Sequence, residues 1–256
     1  MDKLEAAIRQ TTSNGSNLYE EKDNVPDCSI NEISRMETEK LLTNSELESK
    51  KIVYQGSEQF ELLHQLRDIR TALATDRSNN IVMVTSLAAN HGVSFFARNL
   101  AAVTAFDLSK TSILIDCNTG KPSISNIFEL GEATGVMDYI EDDSLDMDSV
   151  IHCSGIKRYR CIPAGTIKHE GEEYFTHPRF KKLLSSLKNR YKDRNVILDA
   201  PPILRSADAR ILLEVCDKVI VVVPYGKVST NELVAAGQMI PAEKYAGVVY
   251  SDYICK

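Results

Sequence analysis

Five short runs of β-branched and aliphatic residues constrain this chain most: "IVMVT" (81–85), "SILID" (112–116), "NVILD" (195–199), "KVIVVV" (218–223) and "AGVVY" (246–250). Each is apolar almost throughout instead of alternating, so each is expected to be buried on both faces, and the stretches between them carry helical patterns. This combination implies an α/β fold with a parallel, doubly wound sheet and helices on both sides. Ligands of such sheets sit beyond the carboxyl ends of the strands. The candidates are therefore the 86–94 loop, Asp116 with Asn118, and Asp199 with the "APP" that follows it.

Ahead of the first run the texture differs. Residues 1–75 are polar, with few aromatics and no strand-like run. Leu4, Ala7 and Ile8 give the opening decapeptide one weak apolar helical stripe, and a second helix is conceivable around 31–42. The Glu-, Asp-, Asn- and Ser-rich composition of 19–47 equally suits disorder. A firmer helix is expected over 57–74, where Leu62, Leu66, Ile69 and Leu73 share one face that must pack on something. The expected organisation is a largely helical or disordered N-terminal extension (1–55) followed by one domain (56–256).

Bulk properties exclude several classes. A formal net charge of −6 over 256 residues argues against a nucleic-acid protein, which would present a basic face. Cys28, Cys117, Cys153, Cys161, Cys216 and Cys255 are scattered without a C-x-x-C pair, which suggests neither a zinc site nor a disulfide framework. No apolar stretch approaches the roughly 20 residues of a membrane span, and the opening alternates charge with aliphatics, so it is not expected to act as a signal peptide. A cytoplasmic location is the expectation.

A small-residue loop and two acids at three strand ends form the layout of a P-loop nucleotidase, in which loop amides hold phosphates, Ser or Thr binds magnesium and carboxylates orient metal and water. One such Asp alone would serve equally as a turn or helix cap. Together, from about residue 57 to the end, the motifs resemble the cytoplasmic domain of the bacterial tyrosine autokinases of capsule and exopolysaccharide synthesis, relatives of the MinD/ParA P-loop ATPases. "TSLAANHGVS" follows that family's T-S-x-x-P-G-E-G-K-S through Thr85, Ser86, Gly92 and Ser94. "LIDCNTGKP" keeps Asp116, Lys121 and Pro122 of the second motif, and "ILDAPPILRSADA" keeps Asp199, Pro201, Pro202, Asp208 and Ala209 of the third. "IPAGT" (162–166) also matches a family segment.

The resemblance implies ATP and Mg2+ as cofactors wherever binding is retained. Asn90, His91, Gly92, Val93, Ser94 and Phe95 would line the nucleotide, Ser94, Asp116 and Asp199 would hold the metal, and Asp116 and Asp199 would be catalytic in an active protein. Arg67 and Arg70 match an arginine motif for ring assembly, although His64 stands where the family has an acid. Tyr253 is the candidate phosphoacceptor, and Tyr250 is expected to be a buried strand terminus. The implied partners are the cytoplasmic tail of a membrane chain-length determinant (Wzz-like) and other kinase-family copies in a homo- or hetero-oligomer, with recruitment to the inner face of the cytoplasmic membrane.

The departures concern chemistry. Val93 stands where the family has lysine, Ala89 and Asn90 where it has proline and glycine, and Asn118 where it has the second acid. A charge-assisted hydrogen bond contributes about 1.5–3 kcal/mol, so loss of the lysine should weaken triphosphate binding about tenfold to a hundredfold. Transfer should suffer more, because that charge also offsets the developing transition state. His91 is the one titratable newcomer, expected to be a solvated bystander. These features favour a pseudokinase regulator or scaffold. An active autokinase with a nonstandard cation is the alternative, and a ParA/MinD-like positioning ATPase is poorer, since it too requires the lysine.

Overall fold

The structure, a computed structural model, describes residues 40–74, 80–168, 173–190 and 193–251. Leu4, Ala7, Ile8, the first nine residues of the 31–42 segment, Cys28, Tyr253 and Cys255 lie outside them.

The five runs form five parallel strands: β1 (Ile81–Ser86), β2 (Thr111–Asp116), β5 (Arg194–Asp199), β6 (Lys218–Pro224) and β7 (Tyr245–Ser251). Two short strands that periodicity did not reveal, β3 (His152–Cys153) and β4 (Tyr159–Ile162), complete a seven-stranded sheet ordered β3-β4-β2-β5-β1-β6-β7. The sheet is mostly parallel, not wholly so. β3 returns antiparallel on β4 through a tight connection in which Gly155 and Arg158 both take positive φ, a reversal too short for the crossover that a parallel pair requires.

Along β1 the side chains divide by parity, which is what burial on both faces demands. Ile81 and Met83 enter one core with α5 (Val136–Glu141), α6 (Pro178–Arg190), α7 (Ala207–Val215) and α8 (Thr230–Met239). Val82 and Val84 enter the other with α2 (Phe60–Leu73) and α3 (Val93–Thr104). The expected 57–74 helix begins at Phe60: Ser57 is buried and its hydroxyl accepts from the Gln59 N–H (3.2 Å), which holds that turn outside the helix. Leu63 and Leu66 are its fully buried residues.

The chain before residue 55 is also packed. Helix α1 (Asn44–Ser49) starts at a Thr43/Glu46 capping box, where each side chain satisfies the other's backbone N–H. Leu47, Ile52 and Val53 join the α3-side core. Buried Asn99 clamps this strap: its Oδ1 accepts from the Val53 N–H (2.8 Å), and its Nδ2 donates to the carbonyls of Lys51 (3.0 Å) and Phe95 (2.9 Å). The boundary expected at residue 55 therefore falls just after a segment that packs on the same core. No helix among the described residues is long and apolar enough to cross a membrane.

Candidate functional site

The 87–92 loop leaves β1 and turns into α3. Two residues make the turn, Asn90 (φ 64°) and Gly92 (φ 90°), both left-handed. Asparagine tolerates that region better than most residues, so the exchange of glycine for Asn90 leaves the backbone path open. Gly92 is the N-cap of α3, and a Cβ there would meet Ser251 at an ordinary 3.6 Å, so backbone conformation is what calls for glycine. The first N–H groups of α3 lack intrahelical partners, and with the helix dipole they favour an anion.

The side chains around this turn are less suited to one. Val93 is buried (8% exposed) in the apolar cluster that also holds Phe96, Ala97 and Val222. His91 is part-buried, its Nδ1 lacks a partner, and burial holds its pKa below the usual value against the pull of Glu232, which favours the neutral imidazole. That corrects the expectation of a solvated position: His91 is part-buried, and its surroundings favour the uncharged ring. The Lys121 ammonium reaches over from the loop after β2 and donates to Asn90 Oδ1 (2.8 Å). Ser251 was missed in the sequence; its hydroxyl donates to the His91 carbonyl (3.0 Å) and so ties the loop to the end of β7.

Asp116 and Asp199 end adjacent parallel strands in direct register, and both are fully buried. Their environments differ. Asp116 is committed to backbone: Oδ1 accepts from the Asn118 N–H (3.2 Å), and Oδ2 accepts from those of Ser123 (2.7 Å) and Ile124 (3.0 Å), the start of α4 (Ile124–Ile127). Burial raises its pKa, and these three donors oppose the rise. Asp199 has no hydrogen bond of good geometry on either oxygen. Burial first and the neighbouring Asp116 charge second push its pKa up to about 8, opposed by the Ser94 hydroxyl and by Arg98. Ser94 is near enough to favour the carboxylate, though not placed for a well-formed bond.

Arg98, also missed, is the one charged residue in the α3 run "VSFFARNLAAVT". Asp208 lies on the far side of the Asp116 loop, where Thr119 donates to its Oδ2 at 3.4 Å. Asn90, Ser94, Asp116 and Asp199 are thus brought together; Phe95 is half-buried on α3 beneath Arg98. Arg67 and Arg70 are not part of this group. They sit on α2, where Arg70 Nη1 donates to the Val103 carbonyl (3.2 Å) and lines a cavity of about 250 Å3 with Asn80, Thr104, Asp107 and Lys110, at the amino end of the sheet. Tyr250 is 54% exposed on the outermost strand, edge-on to Tyr225 at 6.1 Å between ring centroids, so it is not the buried terminus expected. Among the described residues, no group of three His, Cys, Asp or Glu side chains is arranged to hold a metal ion by itself.

No protein-family model matches the chain. Named relatives do. The tyrosine-protein kinase YwqD of Bacillus subtilis is 31% identical over 179 residues, covering 69% of this chain and 74% of that protein. The putative tyrosine-protein kinase EpsB of Ralstonia solanacearum is 29% identical over 174 residues, 67% of this chain; the match spans 23% of that much longer protein. Among solved structures, the kinase domain of the Escherichia coli tyrosine kinase ETK superposes with a TM-score of 0.70 at 21% identity, over 85% of this chain and 89% of that one. A plasmid partition protein from Borrelia burgdorferi gives 0.51 at 20% identity, over 70% and 84%. The latter two likenesses concern the fold alone, a mostly parallel sheet flanked by helices. With its sheet order, its loop and its YwqD match taken together, the chain belongs to the bacterial tyrosine-protein kinase family.

Proposed function

We propose that this chain is a pseudokinase of its family, a regulator or scaffold in exopolysaccharide or capsule assembly and export, working on the cytoplasmic side of the membrane. The observation that carries the reading is Val93. By the motif resemblance through Thr85, Ser86, Gly92 and Ser94 it stands at the lysine position, and the burial of its side chain in an apolar cluster supports the reading. An aliphatic group offers nothing to a terminal phosphate, and burial biases His91, the titratable residue of the loop, toward its neutral form.

The residues fit the two halves of MgATP unequally. An unpartnered buried carboxylate, Asp199, beside the Ser94 hydroxyl suits a hydrated divalent ion. A triphosphate would find the loop amides but no ammonium from the loop itself. Arg67 and Arg70 on α2, and Tyr253 beyond the described residues, retain their proposed roles in self-association and as a modification site. The partner class we propose is the tail of a membrane chain-length determinant, or an active kinase of the same family.

A competing reading, an active autokinase with a nonstandard loop, rests on Lys121, whose ammonium lies at the rim of the turn. Incubating the purified chain with MgATP and probing for phosphotyrosine separates the two. We expect no incorporation by the chain alone, and incorporation on addition of an active family kinase. Autophosphorylation that disappears in Lys121→Ala would establish the competing reading.

A further inference from the structure

The cavity of about 250 Å3 at the amino end of the sheet lies apart from the phosphate turn. Val82, the second residue of β1, and Asn195, the second of β5, line it, whereas the turn and the strand-end carboxylates stand at the opposite ends of the same strands. A six-residue strand spans about 17–20 Å, so the two places do not share a small ligand.

The floor of the cavity is apolar, made by Val82 and Ile197 of the sheet, Leu100 of α3 and Leu73 of α2. Aliphatic groups facing an empty space lose their contacts on that side, so this floor gains from an apolar occupant. One polar group interrupts it. Asn195 sits on β5, the middle strand of seven, on the same face as buried Ile197. It is nevertheless part-buried, and its side-chain amide has no hydrogen bond among the described residues. Polar groups inside a fold are nearly always paired, so this amide offers a donor and an acceptor to whatever fills the space.

The part-buried rim is cationic. Arg70 and Lys110 stand there against one carboxylate, Asp107, whose Oδ1 is taken up by the Ser109 N–H (2.9 Å) and hydroxyl (2.7 Å). Arg70 gives one donor to the Val103 carbonyl (3.2 Å), near the end of α3, where a cation is favourable in its own right. Lys110 has no such duty: among the described residues its ammonium joins no ion pair and no hydrogen bond.

We propose that this cavity is a binding site for a small organic anion, a carboxylate carried on a short aromatic or aliphatic body. The body lies on the aliphatic floor, the carboxylate meets Arg70 and Lys110 at the rim, and Asn195 serves a polar atom of the ligand. At about 30 Å3 per water the space holds roughly eight waters, which sets the ligand near that number of non-hydrogen atoms, the size of phenylacetate and well below a nucleotide. The walls come from α2, α3, β1 and β5, so an occupant would tie the end of α2 to the end of α3. The inference does not rest on the pseudokinase reading.

The test uses the full chain and phenylacetate, read by two-dimensional NMR, with phenylacetamide as the neutral ligand of the same shape. Phenylacetate is expected to shift the Asn195 side-chain amide and the Ala74 and Asn80 backbone amides saturably, with a Kd of about a millimolar or tighter. Phenylacetamide should bind at least about tenfold more weakly, the worth of a charge-assisted hydrogen bond. Lys110→Met should weaken phenylacetate about tenfold and leave phenylacetamide unchanged, and Lys110→Arg should keep the wild-type preference. No saturable shift at those amides up to about 20 mM phenylacetate, equal affinity for the two ligands, or equal affinity of wild type and Lys110→Met would overturn the inference. MgATP added to the same sample reads out at Gly92 and Ser94 instead, so nucleotide binding would remove the pseudokinase reading and leave this site standing, and silence at the cavity would do the opposite.

Discussion

Asp199 and Asp116 are the same residue type at the same level of adjacent strands, yet they do different work. Asp116 is absorbed into structure: three backbone donors make it the organiser of the turn after β2. Asp116→Ala should therefore destabilise the chain in the absence of any nucleotide, by about 1–3 kcal/mol for the buried N–H groups left without an acceptor. Chemical denaturation in metal-free buffer measures it, and a neutral result would return Asp116 to a purely ligand-binding role. Asp199 has the opposite signature. Its folded pKa, pushed to about 8, lies above the ordinary carboxylate value near 4, so between those limits the folded chain holds a proton that the unfolded chain has lost. Stability should thus be greatest at the acid end of that window and fall as pH rises through it, each unit of the shift being worth about 1.4 kcal/mol. Asp199→Asn should flatten that slope in urea titrations at pH 5 and pH 8.5. An unchanged slope would show that the carboxylate is ionised throughout.

At the scale of elements, α3 links the site to the rest of the fold. Its N-terminus forms the turn at Gly92, its inner face meets the sheet, and Asn99 on it fastens the strap that follows α1. Asn99→Ala leaves the buried Val53 N–H and the part-buried Lys51 carbonyl without this partner, so a loss of about 1–3 kcal/mol is expected, with α1 released first. Hydrogen exchange at Val53 reads that release directly; protection unchanged from wild type would contradict the clamp. The elements differ in how legible they were. Strands β1, β2, β5 and β6 announce themselves because burial on both faces demands unbroken apolar runs; β7 carries such a run too, but at the sheet edge it has no fully buried residue, against the expectation of burial on both faces. β3 and β4 do not, since "HC" and "YRCI" are too short and too polar to carry a period. The loop, Asp116 and Asp199 were legible as residues at strand ends. Arg98 and Ser251 were not, because their placement comes from helix phase and sheet order, which no local pattern states. Tyr250 was misjudged for a related reason: a run of apolar residues does not say whether its strand lies at the edge of the sheet.

For the whole molecule, composition marked residues 1–55 as an appendage, whereas Leu47, Ile52 and Val53 are 7%, 2% and 2% exposed in the core beneath α3. Each such aliphatic contributes about 1.5–3 kcal/mol on burial. A chain beginning at residue 56 should accordingly melt well below one beginning at residue 40, or fail to stay soluble; equal melting temperatures would mean the strap is dispensable. The two cores on either side of the sheet hold the strand ends in register, and that register sets the carboxylates, the loop and Arg98 in place whether or not nucleotide is bound. The account turns on Val93, and calorimetric titration of MgATP into the wild-type chain and into Val93→Lys tests it most directly. We predict no measurable binding to wild type up to about millimolar ATP and a recovered affinity, about tenfold to a hundredfold better, in the lysine variant. Wild-type binding tighter than about tens of micromolar, abolished by Asp199→Ala, would contradict it.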